Sequence, residues 1–133
     1  APNPSPYTFT GTQTYVVGMA DGPDCAVIDP GPDEAAHIAA IIAAVAGRRV
    51  LAIMCTHTHR DHSPAAAPLA AQTGAPIVGC APLVLRSDLP RSDEPFDPTY
   101  APDRVLADGE GMRGTGWTLT AVATPGHTSN HLC

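Results

Sequence analysis

The chain has 133 residues, of which 44% are hydrophobic and 15% are charged, and its formal net charge is −6. This balance is typical of a globular protein and excludes a highly charged disordered chain or a collagen-like repeat. No apolar run reaches the roughly 20 residues that a membrane-spanning helix needs, so no membrane partner is expected. All seven cationic residues are arginine, and the acidic charge disfavours a broad nucleic-acid-binding surface.

The first part of the chain predicts two strands, a helix and a third strand. Strands are predicted at residues 12–19 and 25–28, with a turn between them at residues 21–24. A helix is predicted at 33–46, because isoleucine and valine recur at helical spacing before the stop at Gly47. Residues 49–55 are nearly all apolar, which is typical of a strand covered on both faces.

The rest of the chain predicts a second helix and two more strands. The helix spans residues 63–72, although Pro68 lacks a backbone donor, and a short strand follows at 76–80. Residues 81–107 predict a long loop that could include one short helix, as in functional lids and binding loops. A last strand is predicted at 117–124. These elements form an α/β order without an internal repeat.

The four cysteines form no CxxC pair, and three of them lie in or beside apolar runs. We therefore expect buried free thiols in a reducing compartment. The first six residues have neither a basic start nor an apolar core, so they do not resemble a signal peptide. Together these features predict a cytoplasmic location.

Four candidate metal ligands fall within six residues directly after the third strand. They are His57, His59, Asp61 and His62. Residues two apart in extended backbone point to the same side, so the first two imidazoles would face one spot. The other two lie in the following turn and could serve a neighbouring ion, and imidazole with carboxylate suits zinc. The alternatives are a purely structural zinc site or four solvated loop residues.

A further histidine, His127, follows the last predicted strand in a Thr-Pro-Gly-His turn. Sites in α/β proteins are usually built at such strand ends. If this strand lies near residues 49–55, His127 would complete a three-histidine site with His57 and His59.

The His57-x-His59-x-Asp61-His62 run, followed by His127, resembles the metallo-β-lactamase fold superfamily of metal-dependent hydrolases. Residues 11–18 are similar to the opening strand of that family, and residues 27–31 to its second strand and turn. Among its branches, the LACTB2-like and glyoxalase II-like proteins are the most similar. The resemblance implies the same for His62, because zinc β-lactamases of the commonest subclass lack a histidine at this position.

The resemblance implies an α/β fold, namely the N-terminal half of an αββα four-layer sandwich with a mixed sheet. Residues 1–133 would form one incomplete metallo-β-lactamase-like domain. The missing C-terminal half, or a homo-oligomer, would then cover one face of the sheet.

The resemblance also implies how the ligands divide. One metal ion would bind His57, His59 and His127, and the other would bind Asp61 and His62. The family supplies two more ligands later in its sequence, a bridging aspartate and a histidine, which have no counterpart here.

Two further residues have less direct expectations. By resemblance, Asp29 would orient the metal ligands from behind through hydrogen bonds. His131 would lie behind the ligands or in the substrate pocket, and a plain structural role is about as well supported.

The resulting hypothesis is a zinc-dependent hydrolase that uses a metal-bound hydroxide on a small-molecule ester or thioester. Asp61 would hold the second metal and orient the nucleophile as the catalytic carboxylate. Two zinc ions are expected in the complete domain, and the ligand set also allows iron or manganese. The alternatives are a LACTB2-like RNA endonuclease, an iron-dependent redox relative, and a non-catalytic metal-stabilised fragment that needs a partner.

Overall fold

The computed structural model describes residues 1–83 and 96–133, which form a five-stranded mixed sheet and a separate hairpin. The sheet order is β1-β2-β3-β4-β5. The first strand is antiparallel to its neighbour and the other pairs are parallel. The strands are β1 Tyr15–Val17, β2 Asp24–Ile28, β3 Arg49–Cys55, β4 Ile77–Gly79 and β5 Arg104–Val105.

Two helices cover one face of this sheet. Helix α1, Ala35–Val45, connects β2 to β3, and helix α2, Ala66–Thr73, connects β3 to β4. Such helical crossovers are the usual way to join parallel strands. The buried core between helices and sheet includes Ile38, Ile53 and Leu69. None of the helices in the described ranges combines the length and apolarity needed to cross a membrane.

The opposite face of the sheet packs against the hairpin of β6, Gly111–Gly114, and β7, Trp117–Thr120. Asp24 at the start of β2 fastens this hairpin. Its carboxylate accepts hydrogen bonds from the Trp117 Nε1–H at 2.8 Å and from the Thr115 hydroxyl at 2.7 Å. The hairpin is therefore tied to the sheet by polar contacts as well as by apolar packing.

The predicted helices and strands are present, and most are shorter than predicted, although β2 begins one residue earlier, at Asp24. The long apolar strand at 49–55 has the predicted length, whereas the opening strand covers only Tyr15–Val17. The final strand ends at Thr120 rather than at residue 124. Strands β5 and β6 were not predicted. The short helix suggested within 81–107 falls partly on residues 84–95, which lie outside the described residues.

The start of the second helix differs from the prediction. The helix was predicted to begin at residue 63, but α2 begins at Ala66 and has no side-chain cap. The Ser63 hydroxyl instead donates to Asp97 Oδ2 at 2.9 Å. Pro68 fits the first turn, because backbone N–H groups there have no partner within the helix.

Candidate metal centre

The histidine-rich run lies at the carboxyl end of β3, where the chain leaves the sheet. His57 and His59 are buried, at 3% and 6% exposed. The backbone N–H of His62 donates to the His59 carbonyl at 2.9 Å, which closes a turn. The sheet edge and this turn therefore point several imidazoles toward one place.

Three imidazoles converge although 68 residues separate two of them. Ligand atoms of His57, His59 and His127 all lie within 4.8 Å of one another. His127 Nε2 lies 3.0 Å from His59 Nδ1. The buried Nε2 of His57 has no hydrogen-bond partner among the described residues. A buried polar atom without a partner is costly, so this donor set fits a metal ion better than a closed hydrogen-bond network.

The three-histidine site was predicted on the condition that the strand before His127 lies near β3. Strand β7 pairs with β6 rather than with β3, and it packs on the face of the sheet that carries Met54 of β3. The segment after β7 returns to the sheet because the Leu132 N–H donates to the Thr56 carbonyl at 2.9 Å. The turn that carries His127 is thereby placed beside the end of β3.

Asp61 and His62 form a second pair next to the histidine triad. His62 Nε2 lies 3.2 Å from Asp61 Oδ2. A tetrahedral zinc ion with bonds of about 2.0–2.1 Å separates its ligand atoms by about 3.3 Å, so this spacing suits two ligands of one ion. Burial raises the pKa of the Asp61 carboxyl, but hydrogen bonds from His62 and Thr12 outweigh it and lower the pKa.

The electrostatic states of His57 and His62 differ. Burial, aided by repulsion from His62, lowers the pKa of His57 to about 3 and keeps it neutral. Burial also disfavours charge on His62, but hydrogen bonds to Asp29 and Asp61 outweigh it and raise its pKa to about 9. A neutral imidazole is the form that binds metal, so His57 is already in that state.

Asp29 connects the two groups of ligands from behind. Its Oδ2 lies 3.0 Å from His62 Nδ1. The same carboxylate accepts the Thr56 N–H and hydroxyl, each at 2.8 Å, and the Thr56 oxygen lies 2.9 Å from His57 Nδ1. Asp29 has a positive φ of 50°, a conformation that aspartate tolerates better than most residues. It therefore occupies the position from which ring orientation is controlled.

His131 lies against the triad. Its ring stacks on His57 at a centroid distance of 4.9 Å and an interplanar angle of 28°. Its Nδ1 lies 3.0 Å from the Thr124 oxygen, and burial lowers its pKa. His131 therefore packs against the face of the His57 ring.

Sequence reasoning missed two residues at the centre. Thr56 joins Asp29 to His57, and Phe96 stacks on His59 at a centroid distance of 4.6 Å. The position of Thr56 directly before the histidine run was a usable signal, because its backbone follows a buried strand. Phe96 carried none, since it comes from a distant loop.

A cavity of about 560 Å³ opens over these ligands. His59, Asp61, His62 and His127 lie on its wall, together with the exposed Arg60. The N-terminal segment and the turn after β2 form the facing wall with Asn3, Ser5, Tyr7, Thr8 and Pro32. The cavity leaves the candidate ligands accessible to a small molecule.

The sequence from residue 7 to residue 133 matches the metallo-beta-lactamase superfamily. The chain belongs to this superfamily. Its α/β architecture with a mixed sheet is the one expected for the N-terminal half of the superfamily's sandwich, so the resemblance found from the histidine run is confirmed.

Two related sequences are enzymes by name. A hydroxyacylglutathione hydrolase of Acidiphilium cryptum is 39% identical over 118 residues, covering 89% of this chain and 42% of that protein. An atrochrysone carboxyl ACP thioesterase of Aspergillus fumigatus is 30% identical over 130 residues, covering 96% of this chain and 27% of that protein. The chain spans less than half the length of these relatives, and the first of them supports the glyoxalase II-like resemblance.

Solved structures that resemble this chain are also about twice as long as it. The Rm3 metallo-beta-lactamase is 29% identical with a TM-score of 0.72, and 93% of this chain covers 49% of it. The subclass B3 metallo-beta-lactamase BJP-1 of Bradyrhizobium japonicum is 26% identical with a TM-score of 0.68, and 93% of this chain covers 50% of it. This superfamily member therefore corresponds to about half of each structure.

Proposed function

We propose that this superfamily member carries the metal-binding part of a zinc-dependent hydrolase that acts on an acyl thioester. The observation that supports this most directly is the convergence of three imidazoles around the buried, unpartnered His57 Nε2. His57, His59 and His127 would hold one ion, and Asp61 and His62 would contribute to a second.

The metal supplies one part of the chemistry. A zinc ion bound by imidazoles lowers the pKa of a bound water toward about 7, which makes hydroxide available at neutral pH. The remaining steps belong to side chains of this chain.

The carboxylate of Asp61 would accept a hydrogen bond from the attacking water and so orient it toward the carbonyl carbon. Asp29 and Thr56 would keep the imidazoles of His62 and His57 in the tautomers that present Nε2 to the ligand site. The His131 ring, stacked on His57, would limit its rotation. Hydrolysis then consumes one water and releases a carboxylic acid and a thiol.

The names of the relatives favour a thioester substrate. One relative is named a hydroxyacylglutathione hydrolase and others are named ACP thioesterases, and all of these substrates are thioesters. The net charge of −6 and the absence of lysine disfavour an RNA substrate.

The first experiment measures metal content by elemental analysis and then hydrolysis of a panel of acyl-glutathione, acyl-pantetheine and oxygen-ester substrates. We expect bound zinc and thioester hydrolysis that is lost in His57→Ala and His127→Ala. His37→Gln is the matched control, because His37 lies on helix α1 outside the histidine cluster.

Three results would contradict the proposal in different ways. Iron in place of zinc, with a redox activity, would favour an oxygenase. Cleavage of RNA with steep salt dependence of binding would favour the nuclease alternative. Bound metal without hydrolysis of any substrate would favour a metal-stabilised module that acts with a partner.

A further inference from the structure

Thr12 is a buried polar residue outside the histidine run whose contacts point to Asp61. It lies before β1 and is 6% exposed. Its Oγ1 donates to Asp61 Oδ2 at 2.8 Å, although 49 residues separate the two in sequence. A hydrogen bond between a hydroxyl and an ionised carboxylate is stronger than one between neutral groups.

Asn3 determines the direction of this hydrogen bond. The Thr12 backbone N–H donates to Asn3 Oδ1 at 2.8 Å, and Asn3 Nδ2 donates to Thr12 Oγ1 at 3.0 Å. Because a backbone N–H can only donate, the side-chain amide of Asn3 has one orientation that satisfies both contacts. The Thr12 oxygen already receives a hydrogen, so its own hydrogen is directed to Asp61.

The contact with Thr12 fixes one side of the Asp61 carboxylate. Each carboxylate oxygen offers two lone pairs. At Oδ2, one is taken by Thr12 and the other faces His62 Nε2 at 3.2 Å. The Asp61 side chain is 32% exposed at the cavity wall, so without Thr12 the contact with His62 would be the one side-chain restraint left on this oxygen among the described residues.

His62 is held from its far side by Asp29, at 3.0 Å. The Asp61–His62 pair is thus restrained at both ends, by Asp29 behind the imidazole and by Thr12 behind the carboxylate. The two restraints come from different segments of the chain and act on different ligands.

We propose that Thr12, oriented by Asn3, is a positioning residue that holds the Asp61 carboxylate in place as a metal ligand. The inference rests on the proposed function, because it requires Asp61 to bind metal. Its effect is confined to the ion held by Asp61 and His62, since Thr12 makes no hydrogen bond to the three histidines of the other site among the described residues.

The test measures zinc affinity by competition with a chromophoric chelator, and the visible spectrum of the cobalt-substituted protein. Thr12→Val keeps the shape of the side chain and removes the hydroxyl. We expect it to weaken the Asp61-dependent zinc step by about 10–100-fold, the range for residues that orient metal ligands. The Asp61-dependent part of the cobalt spectrum should change as well, while the tighter step stays within about twofold of the wild type.

Conservative and matched variants separate positioning from a structural effect. Thr12→Ser keeps the hydroxyl and should restore the affinity and the spectrum. Thr10→Val changes an exposed threonine of the same segment and should alter neither. Asn3→Ala keeps Thr12 and loosens its orientation, so it should weaken the same zinc step by at least about threefold, and it serves as the test if Thr12→Val does not fold.

The outcomes distinguish this inference from the proposed function. A zinc step that depends on Asp61 but is unchanged in Thr12→Val and Asn3→Ala would overturn the inference alone. A wild type with one zinc ion that is insensitive to Asp61→Ala would also overturn it and would leave the three-histidine site standing. A wild type that binds no metal would overturn both.

Discussion

Asp29 Oδ2 lies 3.0 Å from His62 Nδ1, and the same carboxylate holds Thr56, which contacts His57. One buried carboxylate therefore reaches an imidazole of each of the two candidate ligand groups. The positive φ of Asp29 and its N–H bond to the Met54 carbonyl, at 2.8 Å, fix it at the end of β2. This relationship makes Asp29 the residue through which both ligand groups can be altered together.

Asp29→Asn is expected to weaken zinc binding at both ligand groups by about 10–100-fold. Asparagine tolerates the positive φ, but its amide cannot accept hydrogen bonds at every position that the carboxylate serves. Chelator competition on the purified protein measures the change. Asp33→Asn is the control, because Asp33 is exposed in the turn between β2 and helix α1. It should leave both zinc affinities unchanged.

His57→Phe is expected to separate metal binding from folding. In the metal-free protein an apolar ring removes the buried Nε2, which has no partner among the described residues, but it also loses the contact of Nδ1 with Thr56, so the Tm should change little. Zinc at about 100 times its Kd should raise the free energy of unfolding of the wild type by about 2.7 kcal/mol. Binding at this site should not raise the free energy of unfolding of the variant. A variant that still shows the full zinc-dependent rise in Tm would argue against His57 as a ligand.

Hairpin docking is expected to weaken in acid. Hydrogen bonds from Thr115 and Trp117 lower the pKa of Asp24, so the folded state favours its charged form. This contribution is present above the unfolded pKa of about 3.9 and is lost as the pH falls through the lower folded value. The stability difference between the wild type and Asp24→Asn should therefore shrink below about pH 4.

The fluorescence of Trp117 reports this directly, because it is the single tryptophan of the chain and its Nε1–H donates to Asp24. Thermal or urea unfolding is followed by Trp117 fluorescence from pH 7 to pH 3. It gives the difference in stability between the wild type and Asp24→Asn at each pH. A difference that stays constant across this range would show that the Asp24 charge does not hold the hairpin.

Leu69→Ala is expected to cost about 2–5 kcal/mol of unfolding free energy, since Leu69 on helix α2 is fully buried against the sheet. Urea unfolding measures the loss. Val122→Ala, at a side chain that is 50% exposed, should change stability by no more than about 0.5 kcal/mol. Equal losses in the two variants would contradict the assignment of the core.

Local patterns were enough to predict the central elements of the fold. The isoleucine spacing in α1 and the apolar run of β3 reflect burial along one element, which the sequence itself encodes. Strand β5 has two residues and β6 is bounded by glycines. Both strands form because a partner strand is present, and the local sequence does not indicate that partner.

The candidate site shows the same division. The histidine-rich run is visible as a motif, and its assembly with His127 depends on the bond between Leu132 and Thr56, residues far apart in sequence. Thr12 lies in no motif, and its place in the site depends on the contacts with Asn3 and Asp61 that folding brings about. Its role, like the ligand roles of the histidines, stays a prediction until metal binding is measured.

His59 and His127 are 68 positions apart in sequence, so metal binding by the triad depends on folding. Bringing the ends of such a loop together in an unfolded chain costs about 4 kcal/mol, so a denatured chain would not retain an ion through both histidines. Release of zinc in urea should therefore coincide with the change in Trp117 fluorescence. The bound ion would then report whether the end of β3 and the segment after β7 are still held together.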